Sequence, residues 1–546
     1  MEPLLLFAVF FGPLAFGSVE PWSLAILETT VLAFALGGKS RWRAPGSGPL
    51  WAMGFILLLG LGQWLNPAAP WGPSTWRPFT ASAAESGSTL LLWSIYALLL
   101  WKTPALLAEP EPARRFLWAL FAIGFLVAVI GLIQQRSGRV DFPLYGLREV
   151  SSGHSPFGPY FNRAHAASLL AVASAVGGGL LLASFFRFLR ESADGARVSH
   201  YLLAQMIPGA MLATVLIGLV RSQNRGALLS LGAAVWLVLF QGAAFMKRPQ
   251  VVRLARGLLL LLPAAAALMI WAPAGRSPLL PVSSNSVPVR AAMYRGGLDL
   301  WRDHPVWGVG PGGLIAAFPP YREPIVVGLV DHLHNDWLEF LTEEGAAGAA
   351  ALLLGLLCLA LRARRTWLSM ASRRQRCLMG GALTGVLAFA LHGLVDFSFH
   401  IPANAVIFLC LLSWVDARSW LPQEPMPRSR WAAGAAAVAG LALTALALPP
   451  AVAWSFKRQA LSGPLSARSG LFQRAYLWDM KPQYLSHAAS SCLIEEERGG
   501  RPCGAAALRA DLRLAERGLM QDPLSLDLRF RQSELLRRLG RSEDAF

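Results

Sequence analysis

Residues Ala349–Leu361, AAALLLGLLCLAL, contain neither a charge nor any alternation of polar with apolar residues. Leu4–Phe16, LLLFAVFFGPLAF, and Gly257–Trp271, GLLLLLPAAAALMIW, have the same character. A bilayer-crossing helix needs about 20 mostly apolar residues. Inside hydrocarbon only helices and closed barrels satisfy every backbone polar group. Runs that are continuous rather than alternating select helices. Composition agrees: of 546 residues, 54% are hydrophobic and 15% charged, with mean hydropathy +0.45, where soluble chains carry about 25% charged residues. The start, MEPLLLF, has no basic region and no small-residue cleavage site, so a retained first helix is expected rather than a signal peptide. The expected fold class is all-α, a polytopic helical membrane protein of about 12–13 transmembrane helices.

Moving outward from that run, thirteen candidate spans begin near Leu4, Trp22, Leu50, Ser88, Arg115, His165, Tyr201, Gly226, Leu254, Ala346, Leu378, Pro402 and Trp431. The formal net charge of +17 raises a nucleic-acid partner as a possibility, but the arginines fall in alternate short loops, the positive-inside pattern. These are KSRWR at Lys39, Arg114–Arg115, FFRFLR at Arg187, MKRPQVVRLAR at Lys247, the stretch Arg362–Arg376, and RSR at Arg428. With the N-terminus inside, all of them lie inside. Residues 136–164, the link Arg221–Arg225, the large loop 273–345 and the tail then lie outside. The expected organisation is a membrane domain over 1–454 and a small helical tail over 455–546, with loop and tail on the outer side of the membrane.

The tail is charged and reads as short amphipathic helices. Pro523, Gly540 and Ala545 fall in phase with a tetratricopeptide pattern, whose period is about 34 residues and which needs about three repeats to bury a core. A plain helical hairpin is the competing reading. Cys358 and Cys410 lie in spans and are expected in the core. Cys492 and Cys503 in an outside tail could pair in an oxidising compartment. No CxxC pair or zinc-like cluster is present, so no structural metal is expected.

Immediately before the opening run lies His332–Gly348, HLHNDWLEFLTEEGAAG, a polar stretch rich in titratable groups at a membrane surface. Histidine side chains serve as general bases near neutral pH, so His334 is a candidate; it could equally cap a helix or bond a headgroup. Asn335 or Asp336 could cap WLEFLTEEGAAG. Arginines form a second set on the outside: Arg163 with Asn162 and His165 in FNRAHAASLLAV, Arg221 and Arg225 in RSQNRGALLSLG, and Arg290 and Arg295 on an amphipathic helix in VRAAMYRGGLDLW. They run against the charge bias of outside loops, and guanidinium forks fit phosphate oxygens; headgroup snorkelling is the plain alternative. In LHGLVDFSFHIPANA, His392 and Asp396 are one helical turn apart and His400 follows. Ionisable groups at a span are functional candidates, against a structural Asp–His pair. HPVWGVGPGGL, His304–Leu314, lacks the lysine of a phosphate loop and is expected to be a flexible turn before a surface helix.

Four blocks, GPYFNRAHAASLLAV, SQNRGALLSLG, RAAMYRGGLDLWRDHPVWGVGPGGL and HNDWLEFLTEEGAAG, together with DFSFHIPANA, resemble the O-antigen ligase and polymerase family of bacterial membrane glycosyltransferases over about 155–405. The resemblance implies an all-helical enzyme that moves a glycan from undecaprenyl diphosphate to an acceptor hydroxyl, on lipid A core for a ligase or on another repeat unit for a polymerase. It implies no nucleotide sugar, no metal and no other cofactor. Beyond the lipid-linked donor, the acceptor glycan and membrane lipid, polysaccharide-assembly proteins are the partners it suggests for the tail. By position His334 resembles the family's essential histidine and Arg225 and Arg290 its key arginines, the catalytic set; Arg163, Asn162, His165, Asn335, Arg295 and Asp396 are expected to bind substrate. His165 and the QNRG form at Arg225 depart from the more usual family pattern. Ligases and polymerases share these motifs, and the tail leans slightly toward a polymerase or partner-coupled enzyme. A transporter of a small anion or lipid-linked glycan, or a non-catalytic assembly protein, are the rival classes; the first should show midplane charges and internal symmetry.

Overall fold

A computed structural model describes residues 1–546 apart from 38–47, 68–76, 138–154, 192–195, most of 246–285, 328–329, most of 420–447, 463–464, 480, 498–501, 522–525 and 542–546. Among the described residues the secondary structure is helical, with two isolated bridges, Pro67 to Thr80 and Phe157 to Tyr160. Eleven of the thirteen expected spans coincide with helices: α1 (Glu2–Leu14), α2 (Pro21–Leu36), α3 (Gly48–Trp64), α4 (Ala83–Leu107), α5 (Pro110–Arg136), α6 (Arg163–Glu191), α7 (Ala196–Arg221), α8 (Arg225–Gly242) and, after α9 (Ser286–Asp303) of the large loop, α10 (Asp336–Ser369), α11 (Arg373–His392) and α12 (Pro402–Ser419). The spans expected near Leu254 and Trp431 lie outside the described residues, as do the basic loops at Lys39, Lys247 and Arg428. Six of the described helices, α4, α5, α6, α7 (from Leu203), α8 and α10, are long and apolar enough to cross a membrane. The chain is an all-α polytopic membrane protein.

Local sequence sets the helix starts. Pro21, Pro110 and Pro402 open their helices, where a missing N–H loses nothing. The side chains of Asn224, Asn335 and Ser372 cap α8, α10 and α11 by accepting backbone N–H groups. Because lipid offers apolar side chains nothing that a neighbouring helix lacks, close packing by small residues holds such bundles together. Where α6 meets α11, a Cβ on Gly381 would stand 2.9 Å from Gly179 Cα, so the two backbones touch only because both positions are glycine. Leu353, Leu354, Leu357 and Leu361 of α10 face away from the protein. So does Cys358, which was expected in the core; Cys410 is buried as expected.

Contacts between helix ends define two faces. Glu2 meets Arg115, and Gln241 meets Arg364, on one face. Gln135 meets Arg221, and Gln63 meets Trp307, on the other. Arg114, Arg187, Arg362–Arg365 and Arg373–Arg376 share the first face with the N-terminus. The large loop sits on the second and has its own core, in which Ala292, Leu300, Val309, Leu314, Phe318 and Leu333 pack together.

Within this loop HPVWGVGPGGL is a fitted part rather than the flexible turn expected. Helix α10 breaks at Gly345 (φ 62°), and 305–310 fills the break. Ala346 and Ala347 donate to the carbonyls of Pro305 and Val306, while Val309 and Gly310 donate to those of Thr342 and Glu343, all at 2.9–3.0 Å. A Cβ on Gly308 would lie 2.3 Å from Glu343 O.

The tail forms α13 (Leu465–Trp478), α14 (Pro482–Ala489), α15 (Ser491–Glu497), α16 (Ala505–Gln521) and α17 (Leu526–Arg538). Helices α16 and α17 pack through Leu512, Leu528 and Leu535. Cys492 and Cys503 are joined, with Cα atoms 5.9 Å apart, as the sequence allowed. Lys481 pairs with Glu85 at the start of α4 at 3.3 Å, which brings the tail to the face that carries the large loop.

Candidate active site

His334 occupies the residue before the cap of α10 and has φ 54°, a left-handed conformation rare outside glycine. Asn335 explains the local geometry: its side chain accepts the Leu338 N–H at 3.1 Å, so the chain must turn sharply into the helix. Tyr294 of α9 donates its hydroxyl to the His334 carbonyl at 2.9 Å, which ties the loop helix to this turn. Strain in a sparsely populated backbone region, held by surrounding bonds, is a recurring mark of functional positions.

Asp396 lies at the centre of the cluster, 1% exposed. His334 Nδ1 stands 3.8 Å from its Oδ1, and His165 Nε2 and His392 Nδ1 each stand 4.0 Å from its Oδ2. Its one side-chain bond in this group is from Ser398 at 3.1 Å. Burial opposes the charge on Asp396, but His334, His165 and His392 outweigh it and hold the carboxyl well below the usual range. Helix α11 ends at His392, so His392 and Asp396 meet across a turn rather than on one helical face. His392 bonds the Ser168 hydroxyl through Nδ1 and the Asn224 side chain at 3.2 Å through Nε2.

The arginines divide. Arg290 donates to the Val395 carbonyl at 2.8 Å, one residue from Asp396. Arg225 opens α8 directly after Asn224, and a Cβ on the adjoining Gly226 would lie 2.8 Å from Val395 and 3.2 Å from His392; the helix start thus abuts the cluster. Arg163, at the start of α6, donates to Gln223 at 3.2 Å, and Gln223 itself has φ 55°. Asn162 caps α6, its side chain accepting the Ala164 N–H at 2.9 Å. Arg295 is turned elsewhere: its guanidinium grips Glu323 at 2.7 and 2.9 Å, so it does not join the other candidates.

A second network adjoins the first, and the sequence reading did not assemble it. His400 Nδ1 meets Asp336 Oδ1 at 2.8 Å and its Nε2 meets Glu339 Oε1 at 3.2 Å; His332 Nδ1 meets the same Glu339 oxygen at 2.7 Å. The Leu333 and Phe399 N–H groups take the remaining carboxylate oxygens of Glu339 and Asp336. Burial opposes the imidazolium of His400, but Glu339 and Asp336 outweigh it and push its pKa up to about 10. His332, Glu339 and His400 place one ligand atom each within 4.8 Å of one another, the set that a metal would use among the described residues; here those atoms already satisfy one another. The Phe397 ring packs on His165, His332 and His334 with centroids 4.6, 4.4 and 4.9 Å away, between the two networks. Ser168, Ser398 and Phe397 were missed because a serine or phenylalanine in an apolar run carries no signal of its own.

No curated protein matches the chain. Residues 210–353 match the family model described as O-Antigen ligase. The matched stretch holds Arg225, Arg290, Arg295, His334 and Asn335; Asn162, Arg163, His165, Asp396 and the tail lie beyond it. The match falls within the region whose motifs carry the resemblance, and residues 210–353 of this membrane chain are similar to the O-antigen ligase family.

Proposed function

We propose that the chain transfers a glycan from undecaprenyl diphosphate to an acceptor hydroxyl at the face that carries the large loop, and that this face is periplasmic. The match of residues 210–353 to the O-Antigen ligase family model supports glycan transfer of ligase or polymerase type. The observation that carries the finer reading is the gathering of His334, Asp396, Arg290 and the start of α8 at Arg225 at one end of the helix bundle.

The chemistry follows from the groups present. His334 accepts the proton of the acceptor hydroxyl as its oxygen attacks the anomeric carbon. The bond from that carbon to the diphosphate oxygen breaks, and undecaprenyl diphosphate leaves. Arg225 and Arg290 balance the charge growing on the leaving diphosphate, and Asp396 balances the imidazolium on His334. One direct displacement inverts the anomeric centre; a retained product would overturn this step. Arginine-rich links on the N-terminal face and a disulfide in the tail support an inner-membrane topology with the loop and the domain 455–546 in the periplasm.

The test is glycan analysis of deletion cells complemented with wild type or His334→Ala, with membrane levels verified. Accumulated single repeats on the lipid carrier identify a polymerase, and accumulated long lipid-linked chains a ligase. Normal glycans in the deletion strain would sink the transferase reading in favour of a transporter or assembly protein.

A further inference from the structure

At the ends of the helices opposite His334, a cavity of about 1410 Å³ opens between the start of α5, the end of α6, the link from α10 into α11, and the end of α12. Five arginines line it, Arg114, Arg187, Arg373, Arg374 and Arg418, against one carboxylate, Glu111. Glu111 pairs with Arg114 at 2.9 Å, and both are more than half exposed, so this pair neutralises little. Arg373 and Arg418 rest instead on aromatic rings, 5.7 Å above Phe186 and 5.4 Å above Trp414. A ring face orients a guanidinium without cancelling its charge.

The lining is graded along each helix. Leu117, Leu180 and Leu378 lie one to two turns further into the bundle than Arg114, Arg187 and Arg374. A turn rises about 5.4 Å, so the arginines ring the mouth and the apolar side chains line the depth. Topology-setting arginines need only be on the correct side of the membrane; here four elements separated in sequence bring them to one hollow. Guanidinium forks match phosphate oxygens, and basic hollows between membrane helices suit acidic lipid headgroups.

We propose that this cavity binds an anionic phospholipid, its phosphate held by Arg187, Arg373, Arg374 and Arg418 and its acyl chains on the apolar floor. Helices α6, α11 and α12 run from this cavity to the His334 cluster, so the lipid fastens their far ends. Neither the position nor the ligand depends on the roles assigned to His334, Arg225 and Arg290.

The full chain, purified in a neutral detergent, is analysed by native mass spectrometry and by thermal unfolding with phosphatidylglycerol, cardiolipin, phosphatidylcholine or inorganic phosphate added. Retention of an anionic lipid, with a saturable rise in Tm that phosphatidylcholine and phosphate do not give, is expected. The double variant Arg373→Gln/Arg374→Gln should hold the lipid roughly tenfold to thirtyfold more weakly, whereas Arg365→Gln, an exposed arginine on the same face outside the cavity, should not. An equal rise with phosphatidylcholine, an equal rise with inorganic phosphate, or equal loss in the Arg365 variant would each overturn the proposal. Should the double variant fail to fold, the four additives on the wild-type chain still decide.

Discussion

Two histidine–carboxylate networks lie on either side of Phe397, and they differ in how completely their atoms are paired. Around His400 the contacts are 2.7–3.2 Å and both carboxylates are also held by backbone N–H groups. Around Asp396 the three histidines stand 3.8–4.0 Å away, and His334 Nδ1, His165 Nε2 and Asp396 Oδ1 are buried without a hydrogen-bond partner. Fully satisfied buried networks rigidify a fold, while each buried unpaired polar atom is destabilising and calls for an explanation. The first network therefore acts as scaffold for the helix start at Asn335, and the second is where side chains remain able to take up a new partner.

The largest effect that would sharpen this contrast is on turnover. His334→Ala should lower glycan transfer by about 10²–10⁴-fold, the range for a general base, with unchanged membrane abundance. Arg290→Ala should follow at about 10²–10³-fold, as for loss of one electrostatic stabiliser; near-normal transfer in lipid-linked glycan assays would remove it from the site. The scaffold network should instead respond in stability. The folded pKa of His400 is raised from an ordinary 6.5 to about 10, so its stabilising contribution is complete below pH 6.5 and is lost as pH rises toward 10. Glu339, Asp336, Glu343 and His332 face this ring. The Tm of wild type should fall across pH 7–10 and that of His400→Gln should start lower and change less; parallel curves would break the distinction between the networks. The smallest effect is expected at Arg295, whose partner Glu323 is an exposed carboxylate: solvent screens such a pair, so Arg295→Ala should leave both Tm and transfer near wild type. A large loss of transfer there would return Arg295 to the substrate.

Sequence pattern made the helices legible because a bilayer demands long apolar runs, and Asn335, one of two cap candidates with Asp336, marked a helix start through a contact only three residues long. His334 and Asp396 stood out as ionisable groups beside spans. The scaffold network did not, since His332 and Glu339 are separated from His400 by a whole membrane helix and its return. Arg295 shares the amphipathic helix of Arg290 and reads as a substrate contact in the sequence; only the fold reveals that Glu323 takes it. The glycines of HPVWGVGPGGL signalled a turn, but the surface that the turn fits belongs to helix α10, well beyond it in sequence.

That last fit has a consequence for how such a chain can diversify. Surface loops ordinarily absorb insertions and deletions with little penalty. Between Pro305 and Gly310 four backbone bonds are spent on the open turn of α10 at Gly345, so one added residue would shift every pairing out of step. An inserted residue between Pro305 and Gly310 would leave the break at Gly345 unfilled, whereas a change of length elsewhere in the loop leaves these four bonds intact.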